Sequence, residues 1–240
     1  PKSVVKATDD HRRRHISAHS VTPPPIVSPD PVTLIGAGPT CRAEIETARQ
    51  FAPVVIAADG GADAAVPADV ALHAVIGDMD SVSDPGALAA RGVRLLEVSE
   101  QNSTDLEKCL YSIDAPGFVG VGFLGGRADH ALAAANALTR YPDKPVILLS
   151  SEDVCFLCPD VLEIDLVEGA RVSLFPFAPV RGTLSEGLRW SVEGRDLAPD
   201  GPIGVSNAAS GGPLRVGFDR RRVLTILPAQ YLPEVVRALF

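Results

Sequence analysis

Aspartates placed just after apolar runs, with one arginine, hold the chemistry this chain can offer. Val75-Ile76-Gly77-Asp78-Met79-Asp80-Ser81 carries two carboxylates one residue apart, directly after a run that ends in glycine. Aspartate is a poor strand former, and two like charges at a strand end repel. Two readings stand for the pair. One is a polar turn in which an aspartate caps a helix. The other is a cation site, since Mg²⁺ is usually held by one or two carboxylates plus substrate phosphates. The strand-then-acid pattern also occurs at Ala58-Asp59-Gly60-Gly61-Ala62. Thr104-Asp105-Leu106-Glu107-Lys108 opens a helix, with Thr104 and Glu107 spaced as a capping box. An acid in that first turn also favours the macrodipole by ~0.3–1 kcal/mol, which gives Asp105 a purely structural role to set against the chemical one. Lys108 lies one turn beyond Thr104 and can point back at the same edge. Gly125-Gly126-Arg127-Ala128-Asp129-His130 adds a guanidinium whose donor fork matches phosphate oxygens.

The elements that must position these groups follow from periodicity. Apolar runs at 31–35, 54–58, 75–77, 93–98, 117–123 and 146–149 read as strands. Helices at about 40–50 (with Thr40 as cap), 84–91, 104–110 and 129–140 alternate with them. Such alternation predicts a Rossmann-like, three-layer α/β fold with a parallel sheet covered on both faces. Ligands of such sheets bind outside the carboxyl ends of the strands. Asp59, Asp78, Asp80, Asp105 and Arg127 should therefore gather on one edge. Glycines there let phosphate approach backbone N–H groups, and the set suits metal-assisted phosphoryl transfer.

After about residue 150 the pattern changes to short β-like runs at 154–157, 161–166, 171–175, 203–206, 214–218 and 222–227, separated by turn residues. This predicts a C-terminal antiparallel β-sandwich. It holds the single tryptophan, in Gly187-Leu188-Arg189-Trp190, and the pair Ser206-Asn207. Trp190 reads either as core or as a platform for a flat or cationic ligand. Cys155-x-x-Cys158 lies in an apolar run without a second ligand pair, which favours buried thiols over a zinc or redox site.

Three segments are expected: a basic, proline-rich tail at 1–28, an α/β domain at 29–152 and the β-sandwich at 153–240. A net charge of −8 over 240 residues argues against a broad nucleic-acid surface. No apolar run is long enough to span a membrane, and the polar, basic start does not resemble a signal peptide. Cytoplasmic location is the expectation. The sequence lacks a P-loop, and Gly36-Ala37-Gly38 is too short for a dinucleotide fingerprint.

Taken in order, Ala58-Asp59-Gly60-Gly61-Ala62, Gly77-Asp78-Met79-Asp80-Ser81, Thr104-Asp105-Leu106-Glu107-Lys108, Gly125-Gly126-Arg127-Ala128-Asp129-His130, Gly187-Leu188-Arg189-Trp190 and Ser206-Asn207 resemble the landmarks of the thiamine pyrophosphokinase family. The resemblance spans about 31–228. It implies transfer of the pyrophosphoryl group of ATP to the hydroxyl of thiamine, giving thiamine diphosphate and AMP, in a homodimer that binds thiamine between one subunit's α/β edge and the partner's β domain. It also implies Asp78, Asp80 and Asp105 as Mg²⁺ ligands, with Asp59 close by as part of the catalytic set. Arg127 and Asp129 would position the nucleotide, in loops that also hold Gly60, Gly61, Ser81, Thr104, Lys108 and His130. Trp190 would pack on thiamine, and Ser206 and Asn207 would meet its polar edge. The family often has a further acid before the T-D pair, where this chain has Glu100 and Asn102. The competing reading is a non-catalytic thiamine- or nucleotide-binding protein on the same fold.

Overall fold

A computed structural model describes residues 26–240. In chain order its elements are β1 (Ile26–Val27), β2 (Val32–Ile35), α1 (Arg42–Arg49), β3 (Val54–Ala58), α2 (Ala62–Ala65), β4 (Ala74–Gly77), α3 (Pro85–Ala90), β5 (Arg94–Glu97), α4 (Asp105–Ser112), β6 (Ile113–Asp114), β7 (Phe118–Val121), α5 (Ala128–Arg140), β8 (Val146–Leu149), β9 (Asp153–Leu157), β10 (Val161–Leu166), β11 (Arg171–Pro176), β12 (Val180–Glu186), β13 (Asp196–Leu197), β14 (Gly204–Ala208), β15 (Gly212–Phe218), β16 (Val223–Pro228) and α6 (Leu232–Leu239). The arginine run and proline cluster of the expected tail lie outside the described residues. Residues 26–28, assigned to the tail from sequence, belong to the fold. β1 pairs in parallel with β6, and the N–H of buried Ser28 donates to Asp114 O at 2.8 Å.

β7 pairs in parallel with β2 and β8, and β4 with β3 and β5. β3 lies beside β2, tied by Thr33 Oγ1 donating to Ala52 O at 2.6 Å and by a bridge between Val32 and Pro53. β2, β4, β7 and β8 are buried on both faces, which explains their unbroken apolar runs, whereas the edge strand β5 exposes Arg94 and Glu97. Consecutive residues serve opposite layers. Leu34 joins a cluster with Leu110 of α4 and Leu138 of α5, whereas Ile35 joins Ile45 and Ala48 of α1. The three-layer α/β arrangement expected from sequence is present.

The β half is attached more closely than its sequence suggests. β9 pairs antiparallel with β8, β16 with β9, β11 with β16 and β14 with β11, so the parallel sheet continues into the C-terminal half. The second, antiparallel sheet runs β10-β15-β12-β13. On β10, Leu162, Ile164 and Leu166 are buried while Glu163 and Asp165 are exposed, and its apolar face joins Val172 and Leu174 of β11 and Val235 of α6. β12 has no counterpart in the expected strands; its glycine, threonine and serine dilute the apolar signal. Among the described residues no helix is long and apolar enough to cross a membrane.

Candidate active site

Asp59 directly follows β3 as a buried carboxylate in left-handed backbone (φ 45°). It packs against Gly77 at the end of β4, where an added Cβ would stand 2.6 Å from that of Asp59. Asp105 opens α4, capped as its sequence predicts. Glu107 Oε2 accepts the Thr104 N–H at 3.0 Å, and Thr104 Oγ1 accepts the Glu107 N–H at 3.4 Å. Buried Glu107 also pairs with Arg140, which fixes α4 against α5. The result is a trio: one carboxylate oxygen each from Asp59, Asp78 and Asp105, all within 4.8 Å of one another.

Lys108 supplies the positive charge this cluster requires. Only 2% exposed, it sets Nζ 3.3 Å from Asp105 Oδ1 and 3.4 Å from Asp78 Oδ2. Gln101 Nε2 donates to Asp78 Oδ2 at 2.7 Å. The Gln101 hydrogen bond, helped by Lys108, holds the Asp78 carboxyl below its ordinary range. Burial raises that of Asp105 despite Lys108, with Asp59 and Asp78 adding to the rise. Burial alone would depress the Lys108 ammonium, but Asp105 and Asp78 lift it above its usual value. The all-oxygen donor set fits a hard divalent cation, and the ammonium between two of its members marks a place where positive charge is favoured.

Asp80 lies outside the trio. It is exposed, and its Oδ1 accepts the Ser81 hydroxyl at 2.8 Å. Gly60 and Gly61 sit in a short 3₁₀ turn after β3, and Ser81 lies against Gly60. Arg127 and Asp129 are brought together, both exposed, with Nε donating to Oδ1 at 3.1 Å and Nη2 to Oδ2 at 2.7 Å. The arginine pushes the Asp129 carboxyl down to about 2. His130 is exposed and donates its backbone N–H to Asp129 Oδ1 at 3.0 Å. Glu100 is engaged elsewhere, by Ser103 and by Tyr111 Oη at 3.0 Å. Thr40, expected to cap α1, stands one residue before the cap at Cys41 and donates to Glu44 Oε2 at 2.9 Å.

Far along the chain, Trp190 is 57% exposed and lines a cavity of about 510 Å³ with Leu197, Pro202, Ile203 and Val205. Asn207 is buried beneath it. Its Oδ1 accepts the Trp190 and Ala208 N–H groups at 3.1 and 2.8 Å, and its Nδ2 donates to Trp190 O at 2.7 Å. The carboxamide therefore clamps the Trp190 main chain. Ser206 is exposed in left-handed backbone (φ 60°), and Arg189 sits 5.6 Å from the indole centroid. The thiols of Cys155 and Cys158 are buried and pushed up to about 12 by burial, which makes them inert.

Fold and site together define a class: a three-layer α/β protein with an appended β-sandwich, a cation-competent acidic sheet edge and an aromatic cleft. Residues 46–148 match the family model described as thiamin pyrophosphokinase, catalytic domain, and residues 161–223 match thiamin pyrophosphokinase, vitamin B1 binding domain. The chain belongs to the thiamin pyrophosphokinase family. Thiamine pyrophosphokinase 1 of Oryza sativa subsp. japonica is 30% identical over 168 residues, 62% of this chain and 64% of that protein. Thiamine pyrophosphokinase 1 of Arabidopsis thaliana is likewise 30% identical, over 62% of this chain and 63% of its own. The match thus spans somewhat less than two thirds of these curated relatives. The solved thiamin pyrophosphokinase from Candida albicans shares the fold with a TM-score of 0.71 at 18% identity, covering 87% of this chain and 95% of that one.

Proposed function

We propose that this chain is a thiamine pyrophosphokinase, transferring the β,γ-pyrophosphoryl group of ATP to the hydroxyl of thiamine. The hydroxyl oxygen gives up its proton, which is released to solvent overall, and forms a bond to the β-phosphorus; the bond from that phosphorus to the α–β bridging oxygen breaks, and AMP leaves with the bridging oxygen. The observation that carries the reading is the trio Asp59, Asp78 and Asp105, placed at one sheet edge in a chain that matches both domain models of the family. These residues would hold Mg²⁺, with Asp80 reaching it from the rim. A bound divalent cation supplies charge neutralisation to the transferring group.

The protein's own part is positioning and electrostatics. Lys108 keeps Asp78 and Asp105 from repelling each other. Arg127, now held by Asp129, would turn its fork to the phosphates. Gly60, Gly61, Ser81, Thr104 and His130 border the nucleotide. Trp190 would cover a ring of thiamine, with Ser206 at its polar edge and Asn207 holding the indole in place. The apolar residues left exposed around Trp190, Ile203 at 44% and Val205 at 46%, support a homodimer in which the partner closes the thiamine site. We assign the nucleotide and metal to residues 29–152, thiamine and dimerisation to 153–240, and the cytoplasm as the compartment.

The test is release of AMP from ATP in the presence of Mg²⁺ and thiamine. Thiamine-dependent AMP is the expected product. Its absence from a folded protein that still binds thiamine would overturn the kinase reading in favour of a binding protein.

A further inference from the structure

Residues 98–104 carry the chain from β5 to α4 and bring one partner to the acidic cluster. Val98 is still tied to β4, its N–H donating to Gly77 O at 2.7 Å. Beyond it Gln101 and Asn102 are exposed and polar, so apolar packing does not set the shape of this stretch. Yet the Gln101 amide arrives 2.7 Å from Asp78 Oδ2. Carboxylates that ligate a metal are themselves held by hydrogen bonds from outside the ligand set, and losing such a partner typically costs roughly 10–100-fold in metal affinity or activity. Asp78 has two such partners. Lys108 is fixed by its burial in α4, whereas Gln101 is as well placed as its loop allows.

One carboxylate holds that loop. Glu100, half-buried, accepts from the Asn102 N–H at 2.7 Å, from the Ser103 hydroxyl and from Tyr111 Oη at 3.0 Å. The Ser103 bond leads the contacts that keep its carboxyl below the ordinary range, so it is charged and its hydrogen bonds are of the stronger, charge-assisted kind. Burial pushes the Tyr111 hydroxyl up to about 12, so it stays a donor. The first two contacts close the loop on itself around Gln101. The third ties it to the helix. Thr104, Lys108 and Tyr111 are spaced four and three residues apart and share a face of α4. Glu100 therefore pins the loop that carries Gln101 to the helix that carries Asp105 and Lys108.

We propose that Glu100 and Tyr111 are positioning residues for the cation site, holding the loop that sets Gln101 on Asp78. The proposal rests on the cation reading of the trio. The acid ahead of Thr104-Asp105 then serves as an anchor and not as a ligand. Mn²⁺, which like Mg²⁺ suits carboxylate oxygen, is the probe. It is titrated into the full chain without nucleotide or thiamine, and the free ion is followed by electron paramagnetic resonance. Tyr111→Phe removes one hydroxyl and leaves every charge in place. It should weaken Mn²⁺ at least threefold and speed hydrogen exchange of the Asn102 N–H. Glu100→Ala, which loses all three contacts, should weaken Mn²⁺ at least tenfold. Residues in one hydrogen-bonded network are not additive, so Tyr111→Phe should cost nothing further in a Gln101→Ala background. Wild-type Mn²⁺ affinity in a folded Tyr111→Phe protein, unchanged exchange at Asn102, or equal losses with and without Gln101 would overturn the positioning role while leaving the cation reading standing. A wild-type protein that binds no Mn²⁺ would remove both.

Discussion

The Met79 N–H donates to Asp59 Oδ1 at 3.0 Å, joining the loops after neighbouring strands β3 and β4. Both residues are left-handed, at φ 65° and 45°. Such backbone is costly for residues other than glycine and persists where the surroundings over-determine it, often at functional sites. Gly77 permits the approach, because any Cβ there would stand 2.6 Å from that of Asp59. Gly77→Ala should therefore push Asp59 out of the trio. Overpacking of this kind costs about 1–3 kcal/mol, and an ångström of misplacement at a reacting centre costs roughly 10²-fold in rate. Thermal unfolding and thiamine-dependent AMP release measure the two effects. A stable variant with wild-type turnover would show that the position of Asp59 does not matter.

Lys108 lies in the acidic cluster as an internal counter-ion, within 3.4 Å of both Asp78 and Asp105. Removing it leaves like charges facing one another. Lys108→Met should lower the melting temperature in metal-free buffer. A ligand that binds only the folded state stabilises it by mass action, so added Mg²⁺ should recover more of the melting temperature in this variant than it adds to wild type. An equal Mg²⁺ response in the two proteins would mean that lysine and cation do not share the cluster.

Local signals in the sequence transferred to the structure, and long-range ones did not. The start of α4 at Asp105 was legible because Thr104 and Glu107 satisfy each other within three residues. The acidic edge was legible because each acid follows an apolar run directly. The choice among the acids was not. The family resemblance groups Asp80 with Asp78 and Asp105, whereas in the structure Met79 between the two aspartates is left-handed and the carboxylate that meets Asp78 and Asp105 is that of Asp59. Gln101 escaped notice because its contact with Asp78 spans 23 residues and depends on how the loop before α4 folds back. The antiparallel continuation of the sheet through β16 was hidden for the same reason, since its partner β9 lies a whole β-sheet earlier in the chain.

Asp78→Asn and Asp80→Asn separate the inner carboxylates from the rim. Asp78 touches Lys108 and Gln101 and belongs to the trio, so its amide variant should lose roughly 10²-fold or more in kcat, the scale on which a transition-state electrostatic contact acts. Asp80 is exposed, and among the described residues its side chain is hydrogen-bonded only to Ser81. Its variant should keep the fold, raise the Mg²⁺ concentration needed for half-maximal rate and lose less turnover than Asp78→Asn. Full activity at wild-type Mg²⁺ would remove Asp80 from the metal site.

Trp190 and Asn207 should respond differently to truncation although they touch. Trp190 is more than half exposed, so Trp190→Ala should leave the melting temperature nearly unchanged while raising the KM for thiamine far more than that for ATP. Asn207 is buried and makes three hydrogen bonds, two of them to the Trp190 main chain. Losing a buried partner costs about 1–3 kcal/mol for the groups left unsatisfied. Asn207→Ala should therefore lower the melting temperature and raise the KM for thiamine together, because the loop that presents the indole loosens. If Trp190→Ala instead destabilised the protein and shifted both KM values equally, the indole would be part of the core and not a face for the ligand.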